Sequence, residues 1–419
     1  MPVSKTQYNF IDLFAGAGGM SEGFISAGFN PVAHVEMNTD ACLTLKTRLS
    51  YHYLLKKKKA GFYYKYLTGE IDRDMLYSMI PQEKLNTVIE HVMSKETMSS
   101  LFNKIDTLMK LQKIDNINLV TGGPPCQAYS LVGRAVKSDK MINDSRNYLY
   151  LLYCSVLRKY QPDMFVFENV PGLLTANSGK YYINMIKAFK RFGYEVQSKV
   201  LNAHDFNVLQ KRCRVILIGW KKGTERKYPE FNKVSNKFLI NDLFEDLPAL
   251  QAGETCNTYK SDKINECLRK TGIRKEDDVL TWHTARPNIE RDKDIYRRVI
   301  ETWNTTKKRL RYSELPEELR THKNATSFLD RFKVVASDLP ASHTMMAHIS
   351  KDGHYFIHPD ISQSRSITVR EAARIQAFPD NYYFEGSRTA VLTQIGNAVP
   401  PLMAKGIAKG IIVELERNG

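Results

Sequence analysis

At 419 residues the chain is long enough for two domains, or for one large domain carrying an insertion. Its 42% apolar content supports a core, while no apolar run approaches the roughly 18 residues of a membrane span, which excludes a membrane-spanning helix. A formal net charge of +16 and a pI near 9.4 point to a polyanionic partner, nucleic acid before an anionic membrane.

The first predicted element is a buried strand, "YNFIDLFA", running into the glycine-rich "GAGG". "MSEGFISAGF" follows as a helix closed by Gly28, and "NPVAHVEMN" as a second strand ending at Glu36. This β-α-β opening predicts a doubly wound α/β sheet. "KKKK" at Lys56 to Lys59, set among Tyr51, Tyr53, Tyr63 and Tyr64, reads as a solvated helix face rather than a nucleic-acid patch. Further strands are expected at "NINLVTG", "DMFVFENV", "YEVQSKVL" and "RVILIGW", with helices between them at "RNYLYLLYCSVLRKY" and "YYINMIKAFKRFG". From about Lys221 to Pro340 the chain is charged and irregular, and strand-helix alternation is lost. Order returns in the helical "SITVREAARIQAF". The chain finishes with "TQIGNAVPPLMAKGIAKGIIVELE", an amphipathic helix interrupted by Lys405 and Lys409.

The six cysteines, Cys42, Cys126, Cys154, Cys213, Cys256 and Cys267, form no C-x-x-C pair, so no metal site is expected and a reducing compartment is. The glycines of "DLFAGAGG" let backbone N–H groups approach a polar ligand, and Glu36 lies about twenty residues on, where an acidic side chain can hold ribose hydroxyls. Ser21 stands where a dinucleotide fingerprint has its third glycine, which leaves a nucleoside-type ligand or a plain tight turn. Cys126 in "LVTGGPPCQAYSLVGR" follows a strand, and Pro124 and Pro125 stiffen its approach. Glu168 ends the strand "DMFVF". In a parallel sheet both therefore face one ligand-binding edge. Arg212 and Arg214 of "QKRCR" are cations that would lower a nearby thiol pKa. The alternatives are a packed core cysteine and a surface carboxylate.

"DLFAGAGG", "GGPPCQAYS", "ENV", "QKRCR", "RSITVREAARIQAFPD" and "GNAVPP" occur in that order, and together they resemble the motif set of the DNA cytosine-C5 methyltransferases of bacterial restriction-modification type. The resemblance covers Asn9 to Trp220 and His343 to Leu402. It implies a Rossmann-like S-adenosylmethionine-dependent methyltransferase sheet with a smaller inserted target-recognition domain. The catalytic and cofactor-binding domain would span 1–220, completed by 385–419. Recognition would occupy 221–384, including the helix near 369–378. By position, Phe14, Gly16, Gly18 and Glu36 would hold S-adenosylmethionine, with Asn397 and Val399 closing that pocket. Cys126 would be the nucleophile, Glu168 would bind the flipped cytosine, and Arg212 would help hold the base and Cys126. Gln127 and Ser130 would sit on a loop closing over DNA, and Arg214 would also contact the substrate. Tyr129 and Leu209 depart from the common pattern. For the acidic residue that contacts adenine after the third strand, Glu70 and Asp72 are the candidates.

The implied substrate is a cytosine in a short duplex DNA site, methylated at C5 through a covalent bond from Cys126 to C6. The expected setting is a monomer in the bacterial cytoplasm, beside a cognate restriction endonuclease. No signal-peptide pattern precedes the first strand. The rival readings are a tRNA cytosine-5 methyltransferase, a nicotinamide oxidoreductase on the same sheet, and an inactive DNA-binding protein. The roughly 120-residue segment from Lys221 speaks against the first, and Cys126 with Glu168 against the other two.

Overall fold

The computed structural model describes residues 7–125, 149–234, 237–320, 329–351 and 353–417. Seven strands form one sheet in the order β3-β2-β1-β4-β5-β7-β6. They are β1 (Asn9–Leu13), β2 (Asn30–Glu36), β3 (Val88–Glu90), β4 (Leu119–Gly122), β5 (Met164–Asn169), β6 (Tyr194–Asn202) and β7 (Cys213–Lys221). The first five run parallel, and β7 is antiparallel to both of its neighbours. The expected α/β sheet is thus present, and every expected strand is in it. β3 is the addition. It has three residues and sits at the sheet edge with Glu90 exposed, too short to show a period of two.

Alternation along the strands divides the core into two layers. Ile11, Leu13, Val120, Phe165, Phe167, Val215 and Leu217 face one side. There they meet α4 (Met98–Gln112), α5 (Leu149–Tyr160) and α6 (Lys180–Arg191) through Leu101, Tyr153 and Phe189. Phe10, Met164, Val166, Ile216 and Ile218 face the other side. They pack with α1 (Gly19–Ser26) and α10 (Pro401–Glu416), and the same cluster continues into Leu243, Leu268 and Ile375 of the inserted segment.

The C-terminal helix reaches the sheet by lying on α1. This approach needs glycine. A Cβ on Gly19 would stand 2.2 Å from the carbonyl oxygen of Val399, and one on Gly23 would stand 2.5 Å from the backbone nitrogen of Lys405. α2 (Thr39–Lys56) is joined to α1 by a buried ion pair. Arg48 Nη2 lies 2.6 Å from Glu22 Oε1, and its guanidinium stacks 4.2 Å from the centre of the Tyr51 ring. Lys56 to Lys59 are all exposed where α2 ends, as a solvated face should be.

The inserted segment contributes no strand to the sheet among the described residues. It holds short helices, α7 (Glu290–Thr306) and a small core of its own around Tyr296, Val299 and Tyr312. The helix expected near 369–378 is α8 (Val369–Ile375), which ends early because Ala377 turns to a φ of 57°. α8 is charged yet buried. Arg374 bridges Asp246 and Asp380 at 2.5 Å each, and Arg365 pairs with Glu371 at 2.7 Å. Leaving any one of these charges unpaired in the interior would be strongly destabilising. No described helix is long and apolar enough to cross a membrane.

Gly23→Ala puts a methyl group into backbone that cannot move without shifting α10. It should destabilise the protein by about 2–3 kcal/mol, the upper range for overpacking. Urea unfolding midpoints check this, and an unchanged midpoint would mean that α10 does not hold the position described.

Candidate active site

β1, β2, β4 and β5 are parallel, so their carboxyl ends share one edge. The strand order reverses between β1 and β4, the place where open α/β sheets bind ligands. Leu13 is in register with Gly122, and Gly122 with Phe167. The loop after β1, Glu36, the segment 123–125 and Glu168 are therefore neighbours.

The loop after β1 is held open by backbone geometry. Phe14, Gly16 and Gly18 take φ values of 55°, 53° and 79°. Gly16 donates its N–H to Glu36 Oε2 at 2.8 Å, while Met37 and Asn38 donate theirs to Oε1, each at 2.8 Å. Three acceptor positions of the carboxylate are used and about one remains for a ligand. No atom comes within 4 Å of where a Gly16 Cβ would sit, so the loop faces open space. Gly18 is closed in: its Cβ would meet Leu45 at 2.6 Å and the Tyr382 hydroxyl at 2.9 Å. That hydroxyl also donates to the carbonyl of Ala17. Asn397 is exposed at the end of α9 (Arg388–Asn397), and Val399 is buried with its carbonyl against Gly19.

Beneath the loop lies a buried polar chain. Asp12 accepts from the hydroxyls of Ser21 and, at 2.8 Å, Thr121, and the Ser21 hydroxyl lies 3.0 Å from His34 Nδ1. Burial pushes the Asp12 carboxyl up to about 6 despite the two hydroxyls. Burial lowers His34 to about 4, with the charge of His52 adding to the effect.

Glu168 projects from the end of β5 on the same face as Val166. Arg214 Nε lies 2.7 Å from Glu168 Oε1, and both side chains are about one-eighth exposed, at 12%. The other carboxylate oxygen lies 2.5 Å from where a Gly123 Cβ would be, so only glycine lets this strand end pass so close. Asn169 donates to the Pro124 carbonyl at 3.4 Å. The chain is thus laid against Glu168 and Asn169 two to three residues before Cys126. Cys126, Gln127 and Ser130 lie outside the described residues.

The two arginines divide differently from the expectation. Arg212, expected to help hold the base and Cys126, is fully buried, and its guanidinium donates to the backbone carbonyls of Met345 at 2.5 Å and Gly396 at 3.0 Å. Arg214 is the arginine at Glu168. Period-two alternation places 212 and 214 on one face, but only 214 lies within β7 beside β5. Gln210 was not singled out in the sequence. It receives the N–H of Met345 at 2.7 Å and donates to Gln376 at 2.8 Å, fastening this stretch to the end of α8 and to the segment well before α8. Neither acidic candidate for the adenine follows a strand. Asp72 caps a helix by accepting the Met75 N–H, and Glu70 accepts from Thr68. The acidic residue at the third strand is Glu90, which ends β3 in register with Glu36. No group of three or more potential metal ligands occurs among the described residues.

The family model for C-5 cytosine-specific DNA methylases matches residues 8–77 and 86–413. The chain belongs to this family. As a cytosine-C5 DNA methyltransferase it is 43% identical to the type II methyltransferase M.Bpa9945I of Bacillus paralicheniformis, over 96% of this chain and 98% of that one. It is 30% identical to the type II methyltransferase M1.HphI of Haemophilus parahaemolyticus, covering 96% and 86% of the two chains. Its fold is like that of an Escherichia coli prophage chain solved as a candidate DNA modification methyltransferase. The TM-score is 0.64 at 21% identity, over 98% of this chain and 99% of that one.

Histidines whose pKa is depressed by burial govern the acid response of the methyltransferase. His34, His343 and His358 are lowered to about 4, chiefly by burial. Each favours the folded state fully above its ordinary value near 6.5, and that stability is lost as pH falls towards 4. Asp12, raised to about 6, works the other way, its contribution growing as pH falls below 6. Three groups outweigh one. Stability should fall by roughly 4 kcal/mol between pH 7 and pH 5. Urea titrations at the two values test this, and equal stabilities would contradict it.

Proposed function

We propose that this methyltransferase transfers a methyl group from S-adenosylmethionine to C5 of a cytosine swung out of a specific short duplex DNA site. The observation that carries the reading is the meeting of Glu168, Arg214 and the segment leading to Cys126 at the edge that also holds the glycine loop.

The loop fits a nucleoside cofactor. Gly16 leaves open space, Glu36 keeps acceptor capacity for ribose hydroxyls, and Phe14 offers a half-buried ring. Phe14, Gly16, Gly18 and Glu36 would hold it, with Asn397 and Val399 closing the pocket and Glu90 available to the adenine. When bound, S-adenosylmethionine supplies an electrophilic methyl group to C5 of the base. The Cys126 thiolate adds to C6, breaking the aromatic system and making C5 nucleophilic. Glu168 faces N3 and delivers a proton there as negative charge develops, and it accepts a hydrogen bond from the amino group. Arg214 fixes the Glu168 carboxylate and keeps a guanidinium at the rim of the base pocket. Arg212 acts at one remove, setting the Asn397 end of α9 through its carbonyls. After methylation C5 loses its proton, the Cys126–C6 bond breaks, and aromaticity returns. The base cannot be reached within a duplex, so it is extruded, with Gln127 and Ser130 on the loop that closes over it.

Region 221–384 reads the site, and 1–220 with 385–419 performs the chemistry. The relatives bear type II names, which supports pairing with a restriction endonuclease.

DNA carrying 5-fluorocytosine in the target should trap a covalent complex, because the C5 proton needed for release is absent. A denaturing gel should show a shifted band with the wild type and none with Cys126→Ala, which should still bind S-adenosylmethionine. A Cys126→Ala variant keeping more than about one per cent of wild-type turnover would overturn the nucleophile assignment.

A further inference from the structure

The buried arginines of the inserted segment have acidic partners. Arg274 meets Asp246 at 2.6 Å, and Arg374 spans Asp246 and Asp380. Arg388 breaks that pattern. It is half-buried at the start of α9, and its Nε is shut off from solvent with no hydrogen-bond partner. Arg286, exposed on the inserted segment, likewise makes no ion pair or hydrogen bond among the described residues.

The segments that carry them are joined by a hydrogen bond. Trp282 holds a φ of 61°, and its indole N–H donates to the carbonyl of Phe384 at 3.1 Å. Arg286 lies four residues beyond Trp282, and Arg388 four residues beyond Phe384. Ala285 is buried and donates its N–H to the carbonyl of Glu254 at 2.8 Å, which fixes the backbone just before Arg286. The guanidiniums oppose one another electrostatically. Burial first, and then the charge of Arg286, lowers the pKa of Arg388, and Tyr296 offsets this only in part.

The place of the pair also matters. A Gly386 Cβ would stand 2.8 Å from Asp40 Oδ2, in the first turn of α2 just past Glu36. The turn that leads into Arg388 is therefore packed at the carboxyl end of β2, on the edge that holds the candidate active site. Asp40 forms no ion pair with either arginine. Arg388 also stands at a helix N-terminus, where the backbone dipole favours an anion. One arginine comes from the inserted segment and one from the C-terminal part, so an anion between them would be held from both sides.

We propose that Arg286 and Arg388 jointly hold one backbone phosphate of the duplex substrate at the rim of the active edge, an assignment that rests on the DNA-modifying reading above. Two like charges without a counter-ion are the arrangement a phosphate completes, and arginine can present two parallel donors to it.

Binding of a fluorescein-labelled duplex of mixed sequence, followed by anisotropy across a salt series, tests this. Each phosphate neutralised contributes about 0.9 to the slope of log affinity against log salt. Arg286→Gln should lower that slope by most of this amount and weaken binding by up to roughly 8-fold at about 0.1 M salt. Arg286→Lys should keep the slope. Adding Arg388→Gln should bring the total loss to one phosphate and no more, with S-adenosylmethionine affinity unchanged. An unaltered slope for the exposed Arg286→Gln variant overturns the proposal, as does a loss of affinity without a change in slope. A wild-type protein that fails to bind duplex DNA would overturn the underlying reading, and the phosphate site with it.

Discussion

The carbonyl of Val399 sits where a Gly19 side chain would be, and the rest of the site depends on that contact. It is possible only because Gly18 and Gly19 carry no Cβ, with Leu45 and Tyr382 crowding Gly18 from one side and Val399 covering Gly19 from the other. The loop after β1 is thereby pressed between the start of the chain's sheet and its C-terminal segment. Two parts of the chain nearly 400 residues apart then form one pocket wall. α10 lies along α1 for the same reason, through Gly23. Glycine also costs conformational freedom, and here that cost is offset by apolar burial: Met20, Phe24, Met403 and Ile407 share one cluster.

Charge is distributed with equal economy. Several buried carboxylates are held ionised by arginines. Burial works against ionised Glu371, but Arg365 and His358 overcome it and hold the group well below the usual carboxylate range. The same balance applies to Glu22 with Arg48 and His52. These pairs join α1, α2, α8 and the segment 380–385, the elements that frame the cofactor loop. Such networks fix relative position more than they add stability. Against this neutral interior, the excess positive charge lies towards the surface. Glu168 with Arg214 occupies an intermediate position, paired yet still in reach of a ligand.

The sheet was legible because five of its strands are apolar runs bounded by turn residues and β6 opens with apolar and polar residues in alternation, and the edge was legible because parallel strands put their carboxyl ends together. β3 was hidden by its length, and so Glu90 was hidden with it. Glu70 and Asp72 drew notice as acidic residues in roughly the right part of the chain, but Asp72 is occupied in capping a helix. The assignment of Arg212 to the base illustrates a different limit. "QKRCR" places two arginines with period-two spacing, and only the start of β7 between them decides which one reaches Glu168. Gln210, Gln376 and Tyr382 carry no chemical signature, because their work is to hold backbone carbonyls and amides from distant parts of the chain. Spacing in sequence does not reveal partners 165 or more residues away.

The proposed reaction places a methyl group on carbon C5 of cytosine in duplex DNA. The most direct measurement is mass spectrometry of nucleosides released after incubation of unmethylated duplex DNA with the enzyme and S-adenosylmethionine bearing a trideuterated methyl group. The account predicts trideuterated 5-methyldeoxycytidine as the product, and none on tRNA treated in parallel. Label appearing instead on the exocyclic nitrogen of cytosine or on adenine, or preferentially on tRNA, would contradict it.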